Sequence, residues 1–177
     1  LTSPQSASAA PFCLGYAFRA GDIPSGQGVV GSVGTLQVTV KNRWPDGSVK
    51  FAVLAGRTAL SEGQPVTVTL SAGTAFGGTA LALSDLKSTG VVAAVDCGGC
   101  GSVQWSGTDW DAPFASWISG PQMSSWVYRK AVGSDAHLVA WLEVRLYAGG
   151  AVEVLPWVEN GYLNVSGPTS KSATYAF

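Results

Sequence analysis

Leu36-Gln37-Val38-Thr39-Val40-Lys41-Asn42-Arg43-Trp44-Pro45-Asp46-Gly47-Ser48-Val49-Lys50-Phe51-Ala52-Val53-Leu54 decides the fold class. Leu36, Val38 and Val40 alternate with Gln37, Thr39 and Lys41. Beyond the interruption, Val49, Phe51, Val53 and Ala55 alternate with Lys50, Ala52, Leu54 and Gly56. Side chains of a strand point to opposite faces in turn, so a period of two predicts half-buried strands. Between the runs, proline pre-sets a turn, aspartate bonds its own backbone and glycine accepts positive φ. The stretch therefore reads as a β-hairpin.

The same period recurs along the chain. Val66, Val68 and Leu70 alternate with Thr67 and Thr69. Leu138, Ala140, Leu142, Val144 and Leu146 form one face of a longer run, with Val139, Trp141, Glu143, Arg145 and Tyr147 on the other. Ala148-Gly149-Gly150 turns the chain into Val152, Val154 and Pro156, alternating with Glu153, Leu155 and Trp157. Glu143, Arg145 and Glu153 are placed for cross-strand charge pairing. Pro156 cannot donate to a ladder and predicts an edge strand or a bulge. Asn160-Gly161 marks a further turn. Thr89–Val95 reads as a strand because of its β-branched residues. Helix evidence is confined to one turn over Leu81–Lys87, with Ser84 as its cap. The expected architecture is all-β, a single β-barrel or β-sandwich of short antiparallel strands. Residues 1–12 are small and polar and are expected to form a flexible N-terminal segment, with the domain spanning 13–177. The strand-like end at Ser172–Phe177 suggests a piece of a longer polypeptide, and no signal peptide is visible.

Composition narrows the function. Of 177 residues only 12% are charged, and ten basic against eleven acidic side chains leave a net charge of -1. A duplex nucleic-acid binder carries a basic excess, which is missing here, so no nucleic-acid partner is expected. No apolar run approaches the roughly 18 residues of a membrane helix, so no membrane span is expected.

The segment from about 96 to 123 is a long Gly/Trp-rich inserted loop, either functional or a small subsheet. It holds Cys97-Gly98-Gly99-Cys100, Trp105, Asp109-Trp110-Asp111 and Trp117. Two acids around an indole resemble a fragment of a sugar site, but glycosidase carboxylates normally come from different segments, so Asp109 and Asp111 also read as turn caps. Tryptophans enrich interfaces and stack on flat ligands. Trp105, Trp110, Trp117, Trp126, Trp141 and Trp157 are thus binding candidates, while Trp44 and Trp141 also read as packing residues. Trp105, Trp110, Trp117, Asp109 and Asp111 form the candidate ligand or interface site, with a small local core as the other reading of the tryptophans.

Cys97 and Cys100 have half a zinc motif. The other half is absent, Cys13 and His137 being the remaining sulfur and imidazole ligands, so no metal is expected. A local disulfide closing the Gly98-Gly99 loop is one reading and free thiols another; an extracellular setting favours the disulfide. Ser134, Asp135 and His137 lie within four residues at a strand entrance, whereas a triad brings its members from separate elements, so His137 reads as a rim histidine making an ordinary hydrogen bond. The glycine-rich stretches lack a strand–glycine–helix context, so no nucleotide is expected. Neither a catalytic constellation nor a cofactor is indicated.

Phe18-Arg19-Ala20-Gly21-Asp22-Ile23-Pro24-Ser25-Gly26, followed by Trp44-Pro45-Asp46-Gly47-Ser48-Val49 between strands, resembles the N-terminal β-barrel domain of exo-rhamnogalacturonan-lyase-like proteins. It also resembles uncharacterised proteins encoded in phage and prophage tail regions. The resemblance covers residues 15–72 and implies a scaffold preceding a catalytic part. The expected function is a non-enzymatic structural or attachment module of a phage virion (tail) or surface protein. It would be extracellular or in the virion, partnered by further copies of itself or by other virion or surface proteins. The alternative is a carbohydrate-binding or non-catalytic barrel domain of a polysaccharide-lyase-like protein, with a polysaccharide as partner.

Overall fold

The computed structural model describes residues 1–33, 35–167, 174 and 176. The protein is all-β, built from several antiparallel sheets that do not close into a barrel. It divides into two compact units, Leu1–Ala80 with Gly120–Met123, and Leu81–Ser119 with Ser124–Phe177.

In the first unit, β1 (Ala7–Ala17), β2 (Gly28–Gly31), β3 (Leu36–Arg43), β4 (Val49–Leu60) and β5 (Leu70–Gly73) form two sheets, ordered β1-β4-β3 and β2-β5. The expected hairpin is β3–β4, with Val38 opposite Leu54. β1 corrects the expectation of a flexible start. Phe12, Leu14 and Tyr16 lie opposite Gly56, Leu54 and Ala52, so they share the apolar face of β4. Pro11 is tolerated because β1 is an edge strand. Ladder pairing after β4 begins only at Leu70, short of the expected start at Val66. The core gathers Phe18, Ile23, Val29, Val33, Leu36, Val49, Ala52 and Leu54.

The Trp44–Ser48 turn is held from within. Asp46 Oδ1 accepts from the Ser48 amide at 2.9 Å and its hydroxyl at 2.6 Å, which holds the Asp46 carboxyl below its usual pKa. Gly47 takes φ +82°, where a side chain would be strained. Trp44 Nε1 donates to Phe18 O at 3.0 Å, Gly21 N donates to Ser48 Oγ at 3.0 Å, and Val49 N donates to Ile23 O. The two halves of the quoted pattern therefore meet in space, and their polar groups are spent on one another.

Gln37, on the polar side of the alternation, is buried. Its Oε1 accepts from the amides of Gln122 and Met123, each at 2.8 Å, and its Nε2 donates to Met123 O at 2.9 Å. The amide packs against Gly120, where a Cβ would sit 2.2 Å from the Gln37 Cδ; only glycine fits.

The second unit contains α1 (Leu83–Ser88), β6 (Ala93–Asp96), β7 (Ser102–Trp105), β8 (Ala115–Ile118), β9 (Met123–Val132), β10 (Asp135–Tyr147) and β11 (Val152–Asn160). The short helix is capped two residues earlier than expected. Ala82 is its N-cap, with Asp85 Oδ2 accepting from the Ala82 amide at 2.8 Å, and Ser84 lies inside it. No helix among the described residues is long and apolar enough to cross a membrane. β6 and β7 pair, and the larger sheet runs β11-β10-β9-β8. Pro156 lies on edge strand β11, where its missing N–H costs no ladder bond toward an outer neighbour. Leu138, Ala140, Leu142, Val144 and Leu146 bury one face of β10 against Trp105, Trp110, Val95 and Leu86. The 96–123 segment is thus no projecting loop. Its first part completes the β6–β7 hairpin, its middle supplies core, and Ala115–Ile118 joins the large sheet.

Candidate binding face

The sequence-derived candidates separate. Trp105 and Trp110 are each 1% exposed, which favours the local-core reading of the two over the ligand-facing one. Trp110 Nε1 donates to Val91 O at 3.1 Å, its ring meets Tyr128 edge-on at 5.0 Å, and Tyr128 Oη donates to Trp110 O. Trp126 is also core. Asp109 closes the Gly107–Asp111 3-10 turn, its Oδ2 accepting from the Ser106 amide. Its other oxygen is 2.7 Å from Lys130 Nζ. These bonds, Lys130 first, hold its pKa below the usual carboxylate range. Asp111 pairs instead with Lys87, at 2.7 Å. The two acids therefore answer to different lysines and do not converge. Trp117 remains exposed, at 55%.

Cys97 and Cys100 are thiols. They bracket the β6–β7 turn, in which Cys97 N donates to Gly101 O and Gly98 N to Asp96 Oδ1. Burial first, then Cys100 and Asp96, pushes the Cys97 thiol up. No group of three or more His, Cys, Asp or Glu among the described residues is arranged to hold a metal ion. His137 is buried rather than at a rim. Its Nε2 lies 3.0 Å from Ser166 O, its carbonyl accepts from the amides of Gly161 and Tyr162, and its amide donates to Asp135 Oδ1. It pins the Gly161–Ser166 turn, which fixes Tyr162.

The exposed chemistry lies on the other face of the large sheet. Trp141 sits directly opposite Trp157, with the rings parallel within 4° and centroids 5.8 Å apart. Phe114 meets Trp141 edge-on at 5.1 Å. The Arg129 guanidinium lies 4.7 Å from the Phe114 ring centre, 5.6 Å from Trp141 and 4.8 Å from Tyr162, and donates to the Tyr162 hydroxyl. Trp141 Nε1 donates to Glu159 Oε2 at 3.0 Å, fixing the indole. Phe114 and Trp157 keep 56% and 43% of their surface exposed. Further along the same face, Arg145 bonds both Glu143 and Glu153, as the alternation predicted. Glu153 Oε2 also accepts from Tyr147 Oη.

Sequence reasoning named Trp141 and Trp157 among the binding candidates but did not select this group as the site. A signal existed, because counting outward from the Ala148-Gly149-Gly150 turn brings Trp141 opposite Trp157. Phe114, Arg129 and Tyr162 had none, since they reach the face from β9 and from two loops. No family model matches the chain, and the searches of curated proteins and of solved structures give no match.

Proposed function

We propose that the chain is a non-catalytic attachment module of a larger surface or particle protein, and that it binds carbohydrate through the Trp141–Trp157 face. The carrying observation is the parallel indole pair at opposite positions of β10 and β11, with Trp157 and the neighbouring Phe114 exposed. A pyranose ring has a C–H-rich face that packs flat on an indole, while its hydroxyls reach sideways. Here the sideways groups are the carboxylates and guanidinium of Glu143–Arg145–Glu153, held in place by one another, and Glu159, held by the Trp141 indole. Aromatic surface with a few oriented polar groups is the usual make-up of a ligand site. Rigid rings also lose little side-chain entropy on binding, which favours weak ligands such as single sugar units.

The first unit is the scaffold in this reading, in keeping with the resemblance of residues 15–72 to barrel domains that precede a catalytic part and to tail-region proteins. Absence of catalysis is supported by the separate engagement of Asp109 and Asp111. Affinity electrophoresis in gels containing polysaccharides tests the proposal. Retardation of the wild-type chain that Trp157→Ala abolishes is expected; equal mobility of both in every gel refutes it. An assembly role for the same patch also follows from its exposed aromatics, since such surfaces mark interfaces. Sedimentation showing concentration-dependent association that Trp157→Ala removes supports that second reading.

A further inference from the structure

Arg129 differs from the other described cations of the second unit. Lys87 pairs with Asp111, Lys130 with Asp109, and Arg145 with Glu143 and Glu153. Among the described residues Arg129 has no carboxylate within ion-pair distance, and Glu159 accepts from Trp141. Its guanidinium is held in position by three rings and the Tyr162 hydroxyl. It also lines a cavity of 350 Å³ together with Lys130, Ala131, Ala136, Val139, Tyr162 and Val165. A guanidinium presents five N–H donors in a rigid fork suited to a planar two-oxygen acceptor. One hydroxyl uses one donor, which leaves further donors beside a cavity large enough for a sugar unit.

We propose that Arg129 is a carboxylate subsite, so that the ligand of the aromatic face is an acidic glycan. This rests on the carbohydrate reading of that face. The shared chemistry is a sugar carboxylate, and its source is either a uronic acid or a sialic acid. A bidentate guanidinium–carboxylate pair forms while the adjoining pyranose rests on Trp157, and the anion supplies the counter-charge that Arg129 lacks.

The test uses the full chain against alginate and polysialic acid, each compared with its own carboxyl-reduced derivative, by isothermal titration. At least one acidic polymer is expected to bind about tenfold or more tightly than its reduced form, and which one identifies the source. The preference should shrink as salt rises, because ion pairs are screened. Arg129→Gln is expected to bring the ratio near one, and Arg129→Lys, which keeps charge but loses the fork, to restore part of it. Circular dichroism of both variants establishes that they fold. Equal binding of acidic and reduced polymers overturns the subsite while leaving the carbohydrate reading standing. A preference that survives in folded Arg129→Gln does the same. Failure of all four polymers to bind overturns the carbohydrate reading, and the subsite with it.

Discussion

Trp110→Ala separates a core tryptophan from a ligand-stacking one, and its cost can be worked from the contacts. A buried tryptophan removes on the order of 200 Å² from water, worth about 5 kcal/mol at 25 cal/mol/Å² as an upper bound. Truncations of this kind cost about 3–5 kcal/mol, with the cavity left behind included. Trp110 is 1% exposed, so nearly the whole side chain counts. Within that range the edge-on contact with Tyr128 accounts for roughly 1 kcal/mol. Val91 O, deprived of the indole N–H, accounts for a further desolvation cost of about 1 kcal/mol unless water reaches it. The Tyr128 hydroxyl bond survives, because its acceptor is the Trp110 backbone. The net expectation is a loss of about 4 kcal/mol, large against the usual 5–15 kcal/mol of a folded protein. At roughly 4–8 °C per kcal/mol for a unit of this size, the second unit's melting midpoint falls by about 15 °C or more. Trp110→Phe keeps a ring against Tyr128 and loses only part of that, about 2 kcal/mol. Trp117→Ala, on an exposed side chain, stays within about 0.5 kcal/mol of wild type. Urea unfolding followed by circular dichroism and by tryptophan fluorescence gives all three numbers. A loss below about 1 kcal/mol for Trp110→Ala, accompanied by lost glycan binding, refutes the core assignment and returns the site to the 96–123 segment.

Other expectations follow from the same contacts. Gln37→Leu leaves two amides and one carbonyl of Gln122 and Met123 without their buried partner, so it should destabilise by about 2–4 kcal/mol in urea titration. Gly120→Ala should be comparably harmful, because the added methyl overlaps the Gln37 amide; a neutral result for both would refute the packing described. Trp157→Ala should weaken polysaccharide binding by about tenfold or more while shifting stability by less than about 1 kcal/mol, since the side chain is 43% exposed. Burial raises the pKa of both the Cys97 thiol and the Tyr128 phenol. Each raised value means that the folded state retains its proton after the unfolded state has lost it. Stability is therefore fully present below the unfolded pKa values and declines as pH rises from about 8.5 through 10 and beyond. The Asp109 shift has the opposite sign: its stabilisation is present above the ordinary aspartate pKa and is lost as pH falls through the lowered folded value. Urea midpoints measured from pH 3 to pH 11 should trace both limbs, and Cys97→Ser should remove part of the alkaline one.

What alternation and turn chemistry could determine from sequence was the local part of the fold. The β3–β4 and β10–β11 hairpins, the Trp44–Ser48 turn, the Glu143–Arg145–Glu153 pairing and the edge position of Pro156 all depend on neighbours along or directly across two strands. Strand β1 escaped because its large side chains, Phe12, Leu14 and Tyr16, follow a run of alanines and serines whose order comes from pairing with β4. Gln37 was polar by pattern yet buried, because burial was decided by amides from Gln122 and Met123, some 85 residues away. The tryptophans make the same point. Composition made Trp105 and Trp110 conspicuous, but the β6–β7 hairpin and the 3-10 turn fold them under the large sheet. Trp141 read both as packing and as a binding candidate, and counting from the turn sets it opposite Trp157; the tertiary structure decided that Trp157 stays open to solvent. Periodicity states which residues share a side of a strand; only the layering of the sheets decides which side meets water.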